Sequence, residues 1–79
     1  MAIKVTRNKV PKEMTFNDII NHSRGRAWII LKEVQYNKKE EEFMEYLKEV
    51  YPKGVSWKKL KELLAHKWED VFEDIGISI

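Results

Sequence analysis

Four side chains towards the C-terminus have the spacing of a metal site: Glu62, His66, Asp70 and Glu73. Steps of four, four and three residues put them on one face of a helix. Carboxylates and a histidine so placed hold metals inside helical bundles. The same helical wheel sets that face opposite the apolar residues, where water reaches it. The quartet therefore reads as a solvated acidic surface, and neither a metal nor a cofactor is expected. No cysteine is present, which excludes thiolate zinc sites and a disulfide scaffold. Three glycines are too few for a phosphate-cradling loop, and no nucleophile elbow or His-Glu-x-x-His occurs. An enzyme acting on a small-molecule substrate is not the expectation.

Charge carries more information. Residues 1–39 hold nine Lys and Arg against three acids, a net of +6, whereas residues 40–79 hold six Lys against ten acids, a net of −4. The formal +2 of the chain hides this division. A basic half suits a polyanion. Lys4, Arg7, Lys9 and Lys12 precede the first expected helix, and Arg24 and Arg26 flank Gly25. Basic arms ahead of helical domains settle on nucleic-acid phosphates. These six cations are the candidate nucleic-acid contacts, directed at the phosphate backbone without sequence preference. No helix carries the Arg, Asn and Gln face that reads base edges. The acidic half would face a protein partner instead.

A second candidate surface is apolar. Trp28 and Ile29 fall off the apolar stripe of their helix, near Tyr36, and Lys67 falls inside the stripe of another. Trp, Tyr and Arg are the types enriched at binding hot spots. Trp28, Ile29, Tyr36 and Lys67 are thus the candidate contacts to a protein partner, or to a second copy in a homodimer. A pure interaction module, adaptor or inhibitor, is the alternative to a nucleic-acid accessory protein.

The elements that must position these residues follow from periodicity. Thr15 and Asp18 have N-cap and N3 character. Phe16, Ile19, Ile20, Ser23, Ala27, Ile30, Leu31 and Val34 then form one stripe, which predicts a helix over residues 16–36. The competing reading breaks that helix at residues 23–26 and makes a strand of residues 27–36, rich in Trp, Ile, Val and Tyr. Asn37 with Glu40 resembles a capping box for a second helix, which ends at Pro52-Lys53-Gly54. Ser56 caps a third helix running through Trp57 and Trp68 to Ile75, with Gly76 as its stop.

The expected fold is an all-α three-helix domain over residues 15–79, preceded by a basic N-terminal arm over residues 1–14. A small α+β domain is the alternative if residues 27–36 form a strand. Ile3 and Val5 alternating with Lys4 and Thr6 give the arm a weak strand pattern. There is no apolar run for a membrane span and no apolar leader, so a cytoplasmic protein is expected. Twelve Lys and ten Glu with a single Gln give a thermophile-like composition.

Overall fold

The computed structural model describes residues 2–7 and 10–77, of which residues 7 and 10–12 as backbone alone. It is mostly helical but carries a small sheet. Strand β1 (Ile3–Arg7) pairs antiparallel with β2 (Val10–Met14) and parallel with β3 (Val55–Ser56), giving the order β2-β1-β3. Five helices complete the chain: α1 (Phe16–His22), α2 (Gly25–Tyr36), α3 (Glu40–Val50), α4 (Trp57–His66) and α5 (Trp68–Ile75).

The structure corrects the sequence-based expectation at several points. The domain is not purely α, because the segment read as an arm folds into a hairpin. Its register sets Ile3 opposite Met14 and Lys4 opposite Glu13. Ile3, Val5 and Met14 are buried while Lys4, Thr6 and Glu13 are exposed, the alternation of a sheet with one wet face. Pro11 lies in β2, the edge strand, where a missing amide hydrogen leaves the ladder intact.

The first expected helix is two helices. Thr15 caps α1 as anticipated, accepting from the Asp18 amide at 3.3 Å, and the Thr15 amide donates to the Asp18 carboxylate at 3.0 Å. Ser23 ends the helix. Its buried hydroxyl donates back to the Ile19 carbonyl at 2.7 Å, while Ser23 and Arg24 are extended. Gly25 restarts the chain at φ +61°, and residues 27–36 are helical rather than strand.

The third expected helix is also two, broken at Lys67. That residue ends α4 and begins α5, with its amide donating to Leu63 O and its carbonyl accepting from Val71 N. The break turns Lys67 out of the apolar stripe, so it is exposed. Asn37, read as the cap of α3, instead closes α2, its Nδ2 donating to Glu33 O at 2.8 Å. Lys38 follows at φ +57°, and α3 begins from Lys39 without a side-chain cap. Glu40, Glu41 and Glu42 fill its first turn, where the helix dipole favours them.

The core lies between the helices and the inner face of the sheet. Val5, Ile19, Leu31, Val34, Phe43, Leu47, Leu60 and Val71 are fully enclosed. Phe16 meets Phe43 edge to face at 5.8 Å between centroids. Helix α2 packs on α4 and α3 on α5. Trp57 and Trp68 are half-buried at its margin. Gly76 adopts φ +83° and lets the Ile77 amide reach Phe72 O at 2.8 Å, so the buried Ile77 seals the end of α5. Ser78 and Ile79 of the apolar tail lie outside the described residues. Among those described, no helix is long and apolar enough to cross a membrane.

Gly54 joins the helices to the sheet. It has φ +103°, and a Cβ there would lie 2.8 Å from the Lys4 carbonyl oxygen. Gly54→Ala should therefore cost about 3 kcal/mol, through backbone strain and a forced separation of the turn from β1. Gly25→Ala, whose Cβ would meet nothing within 4 Å, should cost about 1 kcal/mol from the positive φ alone. Urea unfolding of both variants measures the difference, and equal losses would rule out the close approach as the cause.

Candidate nucleic-acid interface

Helix α2 has two faces. Ala27, Ile30, Leu31 and Val34 are buried against the domain. Arg26, Trp28, Ile29, Lys32, Glu33 and Tyr36 point to solvent, with Trp28 45% exposed, Ile29 60% and Tyr36 83%. The candidate residues Arg24, Arg26, Trp28, Ile29 and Tyr36 are thus gathered on one helix and its entry. Lys32 adds a sixth, holding its ammonium 5.6 Å from the Trp28 ring centre and 3.2 Å from Gln35 Oε1.

The start of this helix is electropositive. Arg24 occupies the N-cap with no side-chain cap bond, and no acid stands in the first turn. Unsatisfied amides and the positive dipole end therefore coincide with two guanidinium groups. Neither arginine is neutralised: among the described residues the only salt bridge is Lys39–Glu42, at 3.9 Å.

The other expected cations are dispersed. Lys4 lies on the wet face of the sheet, opposite Glu13. It borders a hollow of about 430 Å³ that Lys48, Lys53 and Tyr51 also line. Lys48 and Lys53 had no signal in the sequence, since they stand in the acidic half. The packing of α3 on β1 brings Lys48 there, and the turn after α3 brings Lys53. Lys9 lies outside the described residues, as do the side chains of Arg7 and Lys12. Lys67 stands on a different element from the α2 surface, so the four residues expected to meet a partner do not form one patch.

The acidic half has its own geometry. A groove of about 370 Å³ between α3 and α5 is lined by Glu42, Glu45, Glu49 and Asp74, with Tyr46, Val50 and Ile75 as its apolar floor. Val50 is 46% exposed there. His66 faces a separate hollow with Tyr51, Lys59 and Glu62. Among the described residues no group of three or more His, Asp or Glu could hold a metal ion.

Comparison with protein-family models, curated proteins and solved structures finds no match to this chain.

Burial raises the Tyr46 hydroxyl above its ordinary pKa of 10.0, and the Asp74 carboxylate adds to the shift. A raised folded-state value favours the neutral phenol in the native protein. Its contribution to stability is present below pH 10 and is lost as pH rises through the folded value. Stability should decline above about pH 10, and Tyr46→Phe should flatten that decline. Thermal unfolding of both proteins between neutral and strongly alkaline pH measures it. Superimposable profiles would exclude Tyr46 as the titrating group.

Proposed function

We propose that this chain is a non-enzymatic accessory protein that binds the phosphate backbone of nucleic acid through its basic N-terminal half. The observation that carries the reading is the start of α2. There an uncapped helix N-terminus, free of acids, coincides with the exposed and unpaired Arg24 and Arg26. Backbone amides and guanidinium groups together suit a phosphate better than either alone. Lys4, Lys48 and Lys53 form a separate group of cations at the hollow beside β1, which Glu13 also lines. Binding of this kind is electrostatic and indifferent to sequence, as expected for a chain with no base-reading helix face.

The groove between α3 and α5 is acidic and would repel nucleic acid, so it is assigned to a protein partner. A protein-interaction module without nucleic-acid contact is the second reading. Its support is the exposure of Trp28, Ile29 and Tyr36.

Fluorescence anisotropy with labelled DNA and RNA across a salt series tests the first reading. Binding should weaken steeply with salt. In the Arg24→Ala/Arg26→Ala variant the slope of log K against log[salt] should shrink by about 1.5, the loss of two phosphate contacts. No binding at low salt would sink the reading and leave the interaction module standing.

A further inference from the structure

The outer face of α2 has the pattern of a helix-pair seam. Gly25, Ile29, Lys32 and Tyr36 are spaced four, three and four residues apart, so they run in one line along the helix. All four are exposed. One flank of the line carries Arg26 and Glu33, opposite charges seven residues apart. The other carries Trp28, whose ring already meets the Lys32 ammonium of the line at 5.6 Å.

We infer that this face is covered by a second copy of the chain, through antiparallel pairing of α2 with α2 about a two-fold axis. Such an axis sets each flank against the same flank of the other copy in reversed order. Arg26 then meets Glu33 of the second copy, and Glu33 meets its Arg26. Trp28 meets the second copy's Lys32, again twice. Tyr36 meets Gly25, where the absence of a side chain leaves room: even a Cβ would touch nothing within 4 Å. The midpoints of these three pairs all fall between Ile29 and Leu31, so one axis satisfies them together and brings Ile29 against its own copy. Neither Arg26 nor Glu33 has an ion-pair partner within the described part of the chain.

Parallel pairing fails on the same residues. It sets the two Arg-bearing helix starts side by side and aligns the two dipoles. Antiparallel pairing sets each basic start against the partner's C-terminal end, which carries no basic residue in its last turn. A helix of 12 residues is about 18 Å long. That makes a small interface, so the dimer belongs to the weak, concentration-dependent class.

Sedimentation equilibrium of the full chain, without nucleic acid, tests this from low micromolar to near millimolar concentration. The wild type should shift from monomer to dimer within that range. Ile29→Asp should raise Kd by more than about tenfold. Arg26→Glu alone and Glu33→Arg alone should each raise it by about tenfold. The double reversal should return Kd to within about threefold of wild type, because the pair is restored with its signs exchanged. Both reversals suit the helix dipole, so α2 keeps its fold, and circular dichroism checks this. A monomer throughout, or a dimer indifferent to Ile29→Asp, would overturn the inference. A double variant no tighter than the single ones would overturn the antiparallel register.

Discussion

The close approach of Gly54 to β1 is the constraint on which the rest of the molecule depends. Without a side chain at residue 54 the turn after α3 can lie on the Lys4 backbone. Only then do Val55 and Ser56 pair with Val5 and Thr6. That two-residue pairing does three things. It makes β1 the central strand, flanked on both edges. It fixes Ser56, which then caps α4 by accepting from the Lys59 amide at 3.2 Å. And it ties the hairpin, through backbone pairing, to the second half of the chain. A domain of this size has a thin core and no disulfide, so a tie between its N-terminal hairpin and its C-terminal helices matters more than in a larger protein.

What the sequence made legible was local. Caps at Thr15, Ser56 and Gly76 and the apolar stripes of all the helices depend on neighbours a few residues away, and they stand where the residue types require. The break at Lys67 was hidden, and the one at residues 23–26 was weighed only with a strand after it, because a stripe can continue in phase through a kink. Ser23 and Ala27 stay on the buried side although two extended residues separate α1 from α2. Lys67 was misplaced for the same reason: a helical wheel assumes one uninterrupted axis. The hairpin was half visible. Ile3 and Val5 alternate as a strand should, but β2 contains a proline and two charged residues and has no such alternation. Its strand state comes from pairing with β1, a tertiary effect that no window of sequence contains.

The same distinction applies to the surfaces. Arg24, Arg26, Trp28, Ile29 and Tyr36 could be gathered from the sequence because one helix spans them. Lys48 and Lys53 could not, since they reach Lys4 only through the packing of α3 on β1 and the turn that follows it. The division of charge along the chain is therefore softened in space. Two cations of the acidic half lie beside β1, and four of its acids, Glu42, Glu45, Glu49 and Asp74, gather at the groove between α3 and α5. Surface charge here is organised by element rather than by half.

Helix α2 is the meeting point of the two proposals, and they compete for one residue. Arg26 stands in the first turn, where a phosphate would sit, and it is also the residue that the two-fold axis sets against Glu33. Arg24, one turn position earlier, is outside the seam. A dimer therefore keeps Arg24 and the uncapped amides available to an anion while drawing Arg26 into an ion pair. Linkage is reciprocal: whatever affinity for phosphate is lost by pairing two copies is the affinity for the second copy that is lost on binding phosphate. On the two proposals together, concentration and ionic strength would decide the partner of Arg26.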